Sequence, residues 1–305
     1  PGRRGERVLM LYRVRHITTY AYTRTVLSSQ HVLRLRPRRT DNQVCTSSEV
    51  AMTPGPRRRA GRDDYFGNRM EIVTLEEPHE ALTIDAQSVV RVARRRPRDI
   101  EMTQPWEQIP DALAMARADA EIEAAQFMFD TARTRAAHDL VAWAGGDFAP
   151  GRPVALAARD LMNRVRREIR YKPGVTDVST PVDRVLELKA GVCQDQTHVM
   201  LAVLRAHGLS ARYVSGYLMT RPPPGRPKLQ GADQSHAWVQ VWCPPLGWID
   251  FDPTNGLLPD DEHITLAYGR DYSDISPISG IMLGGGEHEV DVKVDVAPHD
   301  EANAA

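Results

Sequence analysis

Ala190-Gly191-Val192-Cys193-Gln194-Asp195-Gln196-Thr197-His198 decides the reading of this 305-residue chain. A glycine-led loop turns there into an apolar-periodic helix, with Cys193 on the first turn. Unpaired backbone N–H groups and the positive end of the helix dipole favour a thiolate at such a place. The apolar spacing of Val192, Val199, Val203 and Ala206 predicts a helix to about His207, closed by Gly208.

Two further segments supply what a thiol nucleophile needs. Ser235-His236-Ala237-Trp238-Val239 reads as a strand, and Trp248 to Asp252 as the next, ending at Pro253. The short connection Pro244-Pro245-Leu246-Gly247 fits an antiparallel hairpin. Strand parity places His236, Trp238, Gln240 and Trp242 on one face, and Ala237, Val239, Val241 and Cys243 on the other. Asp252 then lies nearer to His236 than Asp250 does. A carboxylate on one ring nitrogen leaves the other to face the sulfur, so Cys193, His236 and Asp252 form a candidate nucleophile, base and orienter. The backbone N–H of Cys193 is a natural oxyanion donor. Taken singly, each residue has a plainer role: a small buried hydrophobe, a satisfied strand histidine, a turn aspartate. It is their order and their elements together that favour the triad. A zinc site from Cys193, His236, Cys243 and Asp252 is the metal rival, but the spacing matches no usual ligand pattern and Cys243 points away from His236. No metal and no cofactor is therefore expected.

Working outward, residues 10–96 read as an all-β sandwich or small barrel. Alternation at Tyr12, Val14, His16, Thr18 and Tyr20 is followed by shorter strand-like runs at 32–36, 72–75, 82–86 and 88–92, with turns at Pro54-Gly55-Pro56 and Gly67-Asn68. Residues 97–150 form a helical connection, Ala-rich from Pro110 to about Trp143 and stopped at Gly145-Gly146. Residues 151–298 form the catalytic core. It opens with a helix whose stripe is Val154, Ala157, Leu161, Val165 and Ile169, and continues through a short helix from Pro181 to Leu188. Its remaining segments are a strand at 211–218, a floppy connection from Arg221 to Gln234 that could shape a pocket or act as a lid, and a last alternating strand at 289–296 beyond Gly284-Gly285-Gly286. From His299 a disordered tail is expected, and Met10 is expected to be the natural start.

Composition narrows the class. Hydrophobic content of 42% and charged content of 26% are ordinary for a soluble globular protein. No apolar run reaches the roughly 18 residues that a membrane span needs, and the basic stretch from Pro1 to Glu6 lacks the apolar core of a signal peptide. Cys45, Cys193 and Cys243 are odd in number and far apart, which is no disulfide framework and predicts a cytoplasmic setting. Residues 1–98 hold 20 Arg against 10 Asp plus Glu, hence +10; the total of −1 leaves −11 for the rest. Arg57-Arg58-Arg59 and Arg94-Arg95-Arg96 invite a nucleic-acid reading, but no aromatic platform is interleaved with them, so solvated loop charge is the better account. No nucleic-acid or membrane partner is expected.

These motifs resemble the bacterial transglutaminase-like superfamily. The resemblance rests on Gly191-Val192-Cys193-Gln194-Asp195, Ala211-Arg212-Tyr213-Val214-Ser215-Gly216-Tyr217, His236-Ala237-Trp238-Val239 and Gly247-Trp248-Ile249-Asp250-Phe251-Asp252-Pro253-Thr254-Asn255. His16-Ile17-Thr18-Thr19-Tyr20, Leu35-Arg36-Pro37 and Asp64-Tyr65-Phe66-Gly67-Asn68 resemble the β domain that precedes the core in such proteins, and Gly269-Arg270-Asp271-Tyr272 also has the family look. The resemblance implies an α+β fold with a papain-like core, in which a helix presents the cysteine against an antiparallel sheet carrying His and Asp. It assigns nucleophile, base and orienter to Cys193, His236 and Asp252. The chain departs from many similar proteins at Gln196-Thr197, where those carry an aromatic residue and an alanine. Animal cross-linkers of this kind use calcium; no acidic loop here has calcium-ligand spacing.

The expected function is cysteine-dependent hydrolysis of an amide or peptide bond through a thioester, acting on a peptide or protein. Acyl transfer to a primary amine uses the same residues and is the first alternative. A binding or scaffold module with a vestigial core is the second.

Overall fold

The computed structural model describes residues 9–93, 97–220 and 233–299. The arginine run at 94–96, most of the expected lid at 221–232, the residues before 9 and the tail from 300 lie outside the described residues.

The first unit is built on one long strand. β1 (Met10–Leu33) pairs along its first half with β5 (His79–Val92) and along its second half with β4 (Arg69–Leu75). β2 (Gln43–Thr53) extends the sheet beyond β5, and β3 (Arg58–Asp63) beyond β4. The short runs read from the sequence merge because β1 changes partners at an irregularity between Ala21 and Val26 and never leaves the sheet. Arg57 and Arg59 border this sheet, paired with Glu76 and Glu71.

Between residues 97 and 150 the Ala-rich texture yields three short helices, α1 (Ile109–Ala114), α2 (Asp119–Ala125) and α3 (Leu140–Ala144). Each buries only one or two anchors, such as Ile109 and Leu113, while 117–120 are exposed. Without a continuous apolar stripe, helix propensity alone does not sustain a long helix.

The second unit is the α+β core. α4 (Val154–Glu168) buries the expected stripe. β6 (Arg170–Tyr171), α5 (Val182–Leu188) and β7 (Ala190–Gly191) lead to α6 (Cys193–Ala206), which ends at Gly208 with φ +70°. α6 packs on an antiparallel sheet of β8 (Ala211–Leu218), β9 (Gln234–Trp242), β10 (Trp248–Phe251) and β11 (His263–Gly269), in the order β10-β9-β8-β11. Ala237, Val239, Val241 and Cys243 face α4, α5 and α6 in the main core, as strand parity requires.

After α7 (Tyr272–Ile275), β12 (Ile278–Gly284) and β13 (His288–Pro298) do not join this core, to which the sequence assigns them. Both pair antiparallel with β1 in the first sheet. The alternation of β13 predicts a half-buried strand but not its sheet. Val294 and Val296 pack with Tyr12 and Val14 against Tyr217, Ile264 and Leu266, closing the joint between the two units.

Candidate active site

Cys193 opens α6, and the turn before it is fixed by a carboxylate. Asp195 accepts from the Val192 N–H at 2.7 Å and from the Thr176 hydroxyl at 2.7 Å. A Cβ on Gly191 would stand 2.6 Å from that carboxylate, so the approach needs glycine. Cys193 is partly exposed and opens into a cleft of about 440 Å³ lined by Tyr171, Leu218, Thr220, His236, Thr254 and Asn255.

His236 sits on β9 opposite Gly216 of β8. Its Nε2 lies 2.8 Å from Asp252 Oδ2, and the ring also interacts with the Cys193 thiol. Because the carboxylate accepts at Nε2, that nitrogen carries the proton and Nδ1 is left for the sulfur. Burial alone would lower the His236 pKa, but the charge and hydrogen bond of Asp252, with the Cys193 sulfur, outweigh it and raise the pKa above the ordinary histidine value. For Asp252, burial acts in the opposite sense and is overcome. His236 and His263 hold it ionised, well below the usual carboxylate range.

Asp252 directly follows β10 and precedes Pro253, and the turn that follows wraps around its carboxylate. Oδ1 accepts from the N–H groups of Thr254 (3.0 Å) and Asn255 (3.1 Å). Oδ2 accepts from Asn255 Nδ2 at 2.7 Å and from His263 Nε2 at 3.2 Å, besides His236. This aspartate is fully buried. Asp250, the other aspartate of the strand, instead accepts from Trp238 Nε1 at 2.7 Å.

Thus Cys193, His236 and Asp252 are brought together. Cys243 is not: it is buried in the main core, where burial raises its thiol pKa. Gln196, where the chain departs from similar proteins, does not line the cleft. Its amide donates to the Ile169 carbonyl and accepts from Thr254 Oγ1, both at 2.7 Å, and so ties the cysteine helix to the aspartate turn. His198, further along α6, stays neutral, its pKa lowered to about 3 by burial.

Sequence reasoning passed over Asn255 and His263. An asparagine three residues after an aspartate in a Pro-containing turn is a legible Asx signal. Nothing in the sequence points His263 at Asp252, because the two meet only through sheet geometry. The described residues also bring the ligand atoms of His236, Asp252 and His263 within 4.8 Å of one another. With Oδ2 accepting from both imidazoles, each Nε2 bears a proton that a cation would have to displace.

Residues 12–91 match the family of the bacterial transglutaminase-like N-terminal region, and residues 144–253 match the transglutaminase-like superfamily. An uncharacterized protein of Mycobacterium tuberculosis is 37% identical over 94% of this chain and 92% of its own length. This chain belongs to the transglutaminase-like superfamily. An uncharacterized protein of Mycobacterium leprae is 32% identical over 93% of this chain and 97% of its own length. A protein-glutamine gamma-glutamyltransferase of Pseudomonas aeruginosa is 31% identical over 45% of this chain, which spans 22% of that enzyme. In fold, the crystal structure of a candidate cysteine protease from Cytophaga hutchinsonii superposes with a TM-score of 0.75, over 96% of this chain and 91% of its own, at 20% identity.

Proposed function

We propose that this member of the superfamily is a cysteine-dependent amide or peptide hydrolase. The observation that carries the reading is the continuous interaction from the Cys193 thiol through His236 to the buried, ionised Asp252. Cys193 Sγ, its proton already held on His236, bonds to the carbonyl carbon. The backbone N–H of Cys193 stabilises the oxyanion. As the C–N bond breaks, His236 gives the proton to the departing amine. Water, deprotonated by His236, then attacks the thioester and releases the acid and the thiol. Asp252 stays ionised throughout, orienting the ring and stabilising the imidazolium.

The cleft supports an uncharged acyl group, since its described lining is tyrosine, leucine, threonine and asparagine beside the triad. All three cysteines are free, which supports a reducing, cytoplasmic setting. No helix among the described residues is long and apolar enough to cross a membrane.

A second reading is favoured by the Pseudomonas relative, whose name is that of an acyltransferase. Here a primary amine takes the place of water and resolves the thioester into a new amide. A labelled amine offered with a glutamine-containing protein separates the two. Ammonia release without incorporation supports hydrolysis, whereas stoichiometric incorporation supports transfer. Iodoacetamide should label Cys193 faster than Cys45 or Cys243 at mildly acidic pH; equal rates would end the thiolate reading.

A further inference from the structure

Strand β11 joins two features that the mechanism above leaves unconnected. It is the edge strand of the catalytic sheet, so its outer backbone groups have no strand partner there. Two side-chain amides of the N-terminal unit supply one. Gln43 Nε2 donates to the Thr265 carbonyl at 2.7 Å, and Thr265 N–H donates to Gln43 Oε1 at 2.8 Å. Asn68 Nδ2 donates to the Tyr268 carbonyl at 2.7 Å, and Tyr268 N–H donates to Asn68 Oδ1 at 2.8 Å. Strand periodicity would turn two residues three apart to opposite edges; the irregularity between Thr265 and Ala267 lets both face outward. All four amide groups are buried or nearly so, and leaving any of them unpaired is costly.

The first residue of the same strand is His263. Its ring packs edge-on to Trp238 with centroids 5.4 Å apart and is 2% exposed. Its Nε2 reaches Asp252 Oδ2. Its Nδ1 has no hydrogen-bond partner among the described residues and lies 3.7 Å from Asp260 Oδ1. The two ends of β11 thus differ in what they bind. The N-terminal sheet holds the body of the strand, and the tip of the strand holds the orienting carboxylate.

We propose that His263 is a positioning residue for Asp252, and that the N-terminal β domain sets its place by docking Gln43 and Asn68 on the edge of β11. The proposal rests on the triad reading, and it gives the β domain a part in the site. Three donors on Oδ2 fix the carboxylate from three elements: β9 through His236, the turn through Asn255, and β11 through His263. The charged or titratable groups around the pair are Cys193 from α6, Tyr171 from β6, and Asp260, beside His236, Asp252 and His263.

The test reads Cys193 alkylation by iodoacetamide against pH in the full chain, with melting checked for each variant, and needs no substrate. His263→Leu should slow Cys193 labelling at mildly acidic pH by about tenfold to a hundredfold and displace the alkaline step set by His236, because a charge-assisted hydrogen bond on a buried carboxylate is lost. His263→Gln places an amide N–H near the Nε2 position and should restore most of both; His263→Asn places it near Nδ1 and should not. Gln43→Ala with Asn68→Ala should slow labelling about threefold to tenfold, and the effect should be less than additive with His263→Leu. A folded His263→Leu variant with the parental rate and profile overturns the proposal. So do Gln and Asn variants of equal reactivity, should the Leu variant not fold. Full additivity overturns the link to the N-terminal domain. A parent protein in which Cys193 labels no faster than Cys45 overturns the triad reading itself.

Discussion

The two sheets of this molecule use alternation differently. In the seven-stranded sheet, β5 and the first half of β1 alternate buried with more exposed residues, and the far ends of β12 and β13 leave Ile281, Leu283, Val290 and Val292 exposed. In the four-stranded sheet, β8 and β11 are buried on both faces, one covered by helices and the other by the N-terminal unit. A polar side chain in a doubly covered strand must be satisfied inside the protein. On this sheet some of those residues are joints and others lie in the candidate site. Arg212 is a joint, stacked with centroid distances of 4.0 Å on both Trp248 and Tyr268, while Arg38 of the first unit covers Tyr268 at 4.6 Å. His236 and His263 instead meet at the Asp252 carboxylate of the candidate site.

The strongest way to break this contrast is at the sulfurs. Cys193→Ala should abolish turnover of any substrate, whereas Cys243→Ala, in the dry core, should leave turnover largely intact; a steady-state assay of both checks this. Next comes Asp252→Asn, expected to lower kcat by about 10³- to 10⁴-fold. It should also move the alkaline limb of activity or alkylation to lower pH, since the carboxylate is what raises the His236 pKa. The sign carries over to stability. Asp252, with a lowered folded pKa, stabilises the fold above its unfolded value of 3.8 and loses that contribution as pH falls through the folded pKa. His236, with a raised pKa, contributes fully below 6.5 and loses its part as pH rises through the folded value. Urea midpoints across pH should be highest between the two and flatter in Asp252→Asn.

Gly216→Ala sharpens the comparison at a packing level. A Cβ there would stand 2.2 Å from the Ile264 carbonyl and 2.4 Å from Trp238 Cη2. The expected cost is about 1–3 kcal/mol, read by urea denaturation, with Cys193 alkylation slowed as well because residue 216 pairs with 236. The smallest effect belongs to Arg184→Ala. Its pair with Glu187 is exposed on both sides, and removing it should change stability by less than about 0.5 kcal/mol.

The candidate triad was legible as a proposal because each member announces its own backbone: a helix start for Cys193, a strand with clean parity for His236, a strand end before proline for Asp252. The α+β core and the β domain were legible for the same reason, one residue type and one period at a time. What stayed hidden depends on pairings between distant strands. The alternation of 289–296 defines a half-buried strand and is equally compatible with either sheet. His263 looks like any polar residue entering an apolar strand, and Gln43 and Asn68 look like loop amides, until β11 stands beside them. The Ala-rich connection misled in the other direction, since propensity without a buried stripe does not extend a helix.

Because β12 and β13 return to β1, the first sheet is assembled from segments more than 200 residues apart in sequence. A ribosome emitting this protein has finished β1 long before its last neighbours emerge. During that interval one side of a 24-residue strand has no permanent cover, and such an uncovered margin is prone to pair with other chains. Vectorial synthesis should therefore yield a late, chaperone-sensitive closure, and truncation before residue 278 should increase aggregation over the full chain, read by light scattering.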